Sequence, residues 1–346
     1  MKIGLIGAGR IGRTLIKLIL KKNYEIVFIN EINQSVDNCA YLLNYDNPEQ
    51  SSLKFNAKNK HLVTNKNRIP FFSYSSLKNI NFKKYKVDFL IDTSGSIANL
   101  NFIRKNKINF KYLISNNGDF KKDIFSIMPS VTLHDCNIKN YKIFSGNICD
   151  VVALHPIIDS IYKKNEIESL SLTILHPWLI NQNLLSGSSV KSVQHDTRNF
   201  DYALGRSAIN NLIPKNSSVI SGLKMVNSVN KNLFKNFNAM TFRVSTPVVG
   251  AGILNIEFKK ETSIRIIKDT LLKYEKKQQN KIMKNSFEPL ISEDFKNSEY
   301  SVIIDHNFLE QISKNIIRLH YWYDNEFGYS ISLVKNLKNL KNYSMK

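Results

Sequence analysis

Two stretches of this chain hold residues whose types and spacing imply chemistry. In Ser145-Gly146-Asn147-Ile148-Cys149, small and polar residues lead into a thiol, and Asp150-Val151-Val152-Ala153-Leu154 continues as an expected helix. A thiol at a helix N-terminus has its thiolate favoured by the aligned peptide dipoles, and the adjacent amides can serve as an oxyanion hole. Those are the properties of a nucleophile for a carbonyl carbon, although a cysteine met alone is more often a small buried hydrophobe. The second stretch, Gly7-Ala8-Gly9-Arg10-Ile11-Gly12, follows the strand-like run Met1 to Ile6 and opens an apolar-periodic segment. Here Gly7 permits a tight turn, Gly9 lets a pyrophosphate approach the backbone, and Gly12 lets helix and strand pack closely. The helix start then offers free N–H groups to the anion. Glu31 ends the next strand, Glu25 to Ile29, about twenty residues on, where a carboxylate takes ribose hydroxyls and repels a 2′-phosphate. NAD is therefore the expected cofactor.

These residues need a scaffold, and the pattern supplies one. Strand and helix signals alternate through about residue 148, as a doubly wound parallel sheet requires. Val87 to Ile91 and Tyr112 to Ser115 are further strands of it. Beyond an expected helix from Asp150 to Lys164 come longer strand-like runs, Ser169 to Leu175, Ala239 to Val244 and Gly252 to Phe258, more typical of an antiparallel sheet. The fold class is α/β: a Rossmann-type doubly wound parallel sheet plus an α+β catalytic domain with a mainly antiparallel sheet. A length of 346 residues suits two domains with full cores.

Near the C-terminus, Trp322-Tyr323-Asp324-Asn325-Glu326-Phe327-Gly328-Tyr329-Ser330 combines aromatic, acidic and amide residues in an order that an aromatic turn before the helix Ser330 to Leu340 does not explain. This run closely resembles the C-terminal signature of the glyceraldehyde-3-phosphate dehydrogenases, and Arg10-Ile11-Gly12-Arg13 is similar to the same family beyond its glycines. The resemblance implies that Asn325 bonds the nicotinamide carboxamide and that Glu326 leads into a last helix returning to the cofactor domain. The expected domains are thus 1–148, completed by 326–346, and 149–325. Arg10 and Ile11 join the cofactor site, with Ser94, Gly95 and Ser115 as further candidates on strand ends. The resemblance also implies that His176, after the strand Leu172 to Leu175, is the catalytic partner of Cys149, its imidazolium lowering the thiol pKa and its neutral ring accepting a proton as hydride leaves. Arg243, in Thr241-Phe242-Arg243-Val244, becomes a phosphate-binding residue and Ser217 its companion in place of a threonine. Arg206 lies in a stretch, Gly205-Arg206-Ser207-Ala208, that resembles another basic segment of the family.

The departures concern the nucleophile. Where the family has Ser-Cys-Thr-Thr-Asn-Cys, this chain has Ile148-Cys149-Asp150-Val151-Val152-Ala153. Hydroxyls on both sides of the nucleophile and an amide are lost, and Asp150 would repel incoming phosphate and raise the thiol pKa. Pro177-Trp178 replaces polar followers of the histidine. Leu179 and Asn181 stand where the family uses a threonine and an aspartate near the substrate. Three readings follow: a phosphorylating glyceraldehyde-3-phosphate dehydrogenase, a paralogue oxidising another aldehyde with release by water as in the erythrose-4-phosphate dehydrogenases, or a non-catalytic NAD-binding regulatory protein. The first implies a cytoplasmic, glycolytic homotetramer acting on a phosphorylated small aldehyde.

Composition sets the outer bounds. No apolar run is long enough to span a bilayer, and glycines interrupt any signal-peptide core. Cys39, Cys136 and Cys149 are too few and too scattered for a disulfide framework or a zinc site, so no metal is expected. The formal charge of +21 invites nucleic acid. Its lysines, however, are spread along the chain among many asparagines and isoleucines, giving a solvated basic surface that helps collect sugar phosphates. His155 and His195 match no motif.

Overall fold

A computed structural model describes residues 1–46, 53–115, 123–131, 138–162, 164–180, 182–187, 202–226 and 231–344. Cys136, Asn181 and His195 lie outside the described residues. The N-terminal part runs β1 (Lys2–Ile6), α1 (Arg10–Lys21), β2 (Glu25–Asn30), α2 (Val36–Tyr45), β3 (Asn56–Lys58), β4 (His61–Val63), β5 (Arg68–Phe72), α3 (Phe82–Tyr85), β6 (Phe89–Asp92), α4 (Ile97–Lys105), β7 (Lys111–Ile114), β8 (Ile124–Ser126) and β9 (Ile143–Ser145). Its nine strands are ordered β3-β4-β5-β2-β1-β6-β7-β9-β8. Pairing is parallel from β5 to β8, and β3 and β4 extend one edge as an antiparallel ribbon. β6 is buried along its whole length and β2 after its first residue, as strands covered on both faces must be. Chain order reverses across β1 and β6, so the crevice at their carboxyl ends is where such a sheet takes a ligand.

The second sheet follows α5 (Cys149–Tyr162) and comprises β10 (Ile167–Pro177), β11 (Ile213–Asn216), β12 (Phe237–Val244), β13 (Gly250–Phe258), β14 (Met283–Ser286), β15 (Val302–Ser313) and β16 (Ile316–Tyr323), with α6 (Val219–Lys224) and α7 (Ile264–Lys277) between strands. The order is β11-β12-β10-β13-β16-β15-β14. Only β10–β12 and β14–β15 pair in parallel, so the sheet is mainly antiparallel and the α/β class with an α+β second part holds. α5 is buried on nearly every side, from Asp150 through Ile158. It is a rigid, apolar platform for whatever stands at its first turn.

The last helix, α8 (Phe327–Ser344), starts earlier than the expected Ser330. Asp324 is the reason: its Oδ1 accepts the backbone N–H groups of Glu326 at 2.8 Å and Phe327 at 2.7 Å, satisfying donors that a helix start leaves orphaned. α8 packs on α1 and also on the turn before Cys149. Tyr329 donates to the Asn147 carbonyl at 2.7 Å, and a Cβ on Gly146 would meet Leu333 at 2.1 Å.

Candidate active site

A cavity of about 470 Å³ lies between the glycine turn and the second sheet. Its wall brings together Gly9, Arg10 and Ile11 from α1, Thr93, Ser94, Gly95 and Ser115 from the ends of β6 and β7, Cys149 and Asp150 from α5, His176 from β10, Arg243 from β12, and Asn325 and Glu326 from the start of α8. Gly7, Gly12, Glu31 and Ser217 are not among the residues that line it.

The cofactor side is built by what is absent. Ser35, Ser96 and Ser263 cap α2, α4 and α7 with their side chains, whereas Gly9, the residue before α1, offers no side-chain cap. Its first N–H groups are left for an anion. A Cβ on Gly9 would meet nothing within 4 Å, so a phosphate can approach the backbone there; Gly7 turns the chain at φ +87°. Glu31, buried at the end of β2, accepts from Ala8 N at 2.6 Å and from Asn33 N at 2.7 Å, tying the strand end to the glycine turn. Asp92 accepts from Ser94 N, Ser94 Oγ, Asn99 Nδ2 and Tyr112 Oη, which fixes the loop carrying Ser94 and Gly95. Arg10 Nε meets Glu326 Oε1 at 2.6 Å, joining the starts of α1 and α8; burial raises the Glu326 carboxyl to about 7 despite Arg10. Asn325 Oδ1 accepts from Val249 N at 3.3 Å. These residues fit a dinucleotide.

On the other side Cys149 opens α5. The turn before it is set by Asn147, at φ +60°, whose Nδ2 donates to Ser126 Oγ and the Gly222 carbonyl while its Oδ1 accepts from Ile148 N. Cys149 Sγ lies 3.4 Å from His176 Nε2. His176 Nδ1 is 2.7 Å from the Pro177 carbonyl, which can only accept, so Nδ1 carries the proton and Nε2 faces the sulfur as an acceptor. Asp150 Oδ1 is 3.7 Å from Sγ and 3.8 Å from Nε2, and accepts the buried Tyr323 hydroxyl at 2.6 Å.

Burial dominates the electrostatics. It pushes the Cys149 thiol well above its ordinary range, Asp150 adds to the rise, and Arg243 opposes it. Burial and then Arg243 hold the His176 imidazole down to about 4, against the pull of Asp150. Burial thus favours the neutral form of each group, raising the thiol and lowering the imidazole, a tendency opposite to the expected thiolate–imidazolium pair.

His176 and Arg243 are register partners on β10 and β12, and Thr241 lies two residues along the same face. Arg243 Nε and Thr241 Oγ1 are buried without hydrogen-bond partners. Unsatisfied donors in a cavity wall are what an anion's oxygens complete. Lys215 and Ser218 share that wall. Ser217 does not; its Oγ accepts from Val219 N at the start of α6. Asn147, Thr241 and Tyr323 stand in the runs that the sequence singles out but have no duty legible there, and Lys215 stands in none of them. His155, by contrast, is buried with Nδ1 2.8 Å from Ser130 Oγ, a structural position, and burial raises the Cys39 thiol to about 12.

A doubly wound sheet whose glycine turn opens on a cavity shared with a thiol and an imidazole belongs to the dinucleotide-dependent oxidoreductases. Comparison with known proteins narrows that class. Residues 1–100 match the family described as glyceraldehyde 3-phosphate dehydrogenase, NAD binding domain, and residues 148–325 match its C-terminal domain. Relatives include the glyceraldehyde-3-phosphate dehydrogenase of Glossina morsitans morsitans, 27% identical with 98% of each chain covered, and the cytosolic enzyme of Chondrus crispus, 28% identical with 96% of each covered. That of Buchnera aphidicola subsp. Schizaphis graminum is 27% identical over 95% of this chain and 96% of its own. The chain belongs to the glyceraldehyde-3-phosphate dehydrogenase family, and NAD is its cofactor. No helix among the described residues is long and apolar enough to cross a membrane.

Proposed function

We propose that this protein is a glyceraldehyde-3-phosphate dehydrogenase-like enzyme that oxidises a phosphorylated small aldehyde through a thioester on Cys149. The observation that carries the reading is the 3.4 Å approach of Sγ to His176 Nε2 in the cavity that Gly9, Arg10 and Ile11 of the glycine turn also line. Cys149 adds to the aldehyde carbon, and its thiol proton ends on the new hydroxyl of the hemithioacetal. His176 Nε2 takes that hydroxyl proton as the carbon–hydrogen bond breaks, leaving the thioester. Bound NAD supplies the hydride acceptor. Backbone N–H groups at the start of α5 face the developing oxyanion, while Arg243 and Thr241 hold a phosphate group with donors that are otherwise unsatisfied. Inorganic phosphate then attacks the thioester, releasing an acyl phosphate and regenerating the thiol. The units 1–148 with 326–346 and 149–325 carry the cofactor and the catalysis, in a cytoplasmic homotetramer.

Asp150 favours a second reading in which water releases the acyl group. Its carboxylate stands 3.7 Å from Sγ. At an effective dielectric of about 20, a unit charge roughly 5 Å from an anion costs about 3 kcal/mol, near a hundredfold in affinity. On this reading NADH formation by the parent protein depends weakly on phosphate, and Asp150→Thr makes it strongly dependent. The assay is steady-state NADH absorbance across a panel of aldehydes, with and without phosphate. Strong, saturable activation of the parent by phosphate sinks the water reading and returns the first; NAD binding without oxidation of any aldehyde leaves a regulatory protein.

Glu31 sets the cofactor preference. NAD should bind at least about tenfold more tightly than NADP, since a 2′-phosphate would meet the buried carboxylate. Glu31→Gln keeps an acceptor for Ala8 N and removes the charge, so it should narrow the gap mainly by improving NADP. Calorimetric titration with both dinucleotides measures this, and an unchanged ratio in the variant would release Glu31 from the role.

A further inference from the structure

The three side chains meeting beside the nucleophile have the dimensions of a metal site. Cys149 Sγ, Asp150 Oδ1 and His176 Nε2 form a triangle with edges of 3.7, 3.4 and 3.8 Å. Tetrahedral zinc has Zn–S bonds of about 2.3 Å and Zn–N or Zn–O bonds of about 2.0–2.2 Å, which sets sulfur roughly 3.6 Å from the other two donors and those two about 3.4 Å apart. The triangle departs from that figure by less than about half an ångström. It is the group of cysteine, histidine and acidic side chains among the described residues whose donor atoms converge this closely.

The surroundings match as well. The Pro177 carbonyl holds the Nδ1 proton of His176, which aims the Nε2 lone pair into the triangle, the outer contact that metal-binding histidines ordinarily make. Tyr323 donates to Asp150 Oδ1 and orients it in the same way. A thiolate and a carboxylate together balance a divalent charge, and the buried Arg243 is a nearby positive charge that they do not also offset. A sulfur–nitrogen donor set selects zinc or cobalt over magnesium and calcium. All three residues line the cavity, so a fourth coordination position faces it.

We propose that a zinc-class divalent cation binds across Cys149, Asp150 and His176 and holds the protein in a reversible inactive state. Binding releases the thiol proton to solvent and places the sulfur and Nε2 lone pairs in coordinate bonds. Neither nucleophile nor base is then available to an aldehyde. The inactivation rests on the catalytic reading above; the binding does not.

The test therefore uses spectroscopy on the full chain without substrate. Reduced, chelator-treated protein titrated with Co²⁺ should take one equivalent, with a thiolate-to-cobalt charge-transfer band and the visible absorption of a tetrahedral ion, both removed by Zn²⁺. Cys149→Ser should abolish the charge-transfer band. Asp150→Asn, near-isosteric, should weaken Co²⁺ binding at least about tenfold, and a Cys39→Ser, Cys136→Ser double variant should bind like the parent. Thermal melts establish that each variant is folded, and Zn²⁺ should slow mass-mapped alkylation of Cys149. No band, a band surviving Cys149→Ser, or parent-like affinity in Asp150→Asn would each overturn the site. A cobalt site in a protein that oxidises no aldehyde would fail the catalytic reading alone.

Discussion

Cys149→Ser should lower aldehyde-dependent NADH formation by about a thousandfold or more, with melting temperature and NAD affinity unchanged. Serine is close in size to cysteine, so α5 and its packing survive. What disappears is a sulfur 3.4 Å from Nε2 that ionises and attacks far more readily than a hydroxyl in the same place. The opposite effects of burial on the thiol and the imidazole predict a recognisable pH profile for the parent protein. A thiol pKa raised by burial means that the thiolate is scarce at neutral pH and grows as pH rises, so turnover and alkylation of Cys149 should both climb into the alkaline range. His176, with its pKa near 4, stays an unprotonated acceptor throughout and should add no acidic limb above that value. Stopped-flow NADH absorbance and timed iodoacetamide labelling measure these points. Turnover within tenfold of the parent in the serine variant would end the covalent mechanism, and a plateau in labelling below neutral pH would restore the ion pair.

The parts of the site that were legible in the sequence are those written in consecutive residues. The glycine turn and Glu31 announce themselves because strand, turn and helix must follow one another at fixed spacing. The Asp324-Asn325-Glu326 order is legible as a signature, while the physical duty of Asp324, capping α8, emerges only with the backbone N–H groups it accepts. Tyr323 shows the limit. It lies in the most recognisable run of the chain, yet its contact is with Asp150, 173 positions away, and no local pattern encodes that pairing. The proposed cation site is non-local as well, its donors coming from the start of α5 and from the end of β10, 27 positions apart for Cys149 and His176. The direction in which burial moves the Cys149 thiol is hidden in the sequence for a related reason. A helix dipole is visible in sequence, whereas the burial of α5 on nearly every side is a property of the assembled sheets.

Gly9→Ala and Gly12→Ala should fail in opposite ways although they stand three residues apart in one motif. A Cβ on Gly12 would lie 2.2 Å from the Gly7 carbonyl oxygen, 2.9 Å from its carbon and 3.0 Å from Thr93 Oγ1. The first two neighbours are backbone, so no rotamer change relieves the collision; the turn must move away from α1. Overpacking of this kind costs about 3 kcal/mol, and the displaced turn also loses its anion-binding amides. Gly12→Ala should therefore unfold at lower urea and bind NAD at least about a hundredfold more weakly. A Cβ on Gly9 meets nothing within 4 Å, and its φ of −68° suits any residue. Gly9→Ala should unfold like the parent and still lose most of its NAD affinity, because the methyl group projects where the pyrophosphate must approach the backbone. Urea midpoints without cofactor, set beside calorimetric NAD titrations, separate the two. Parent-like NAD binding by Gly9→Ala would place the pyrophosphate elsewhere, and a parent-like midpoint for Gly12→Ala would mean that the β1–α1 turn yields more easily than its contacts imply.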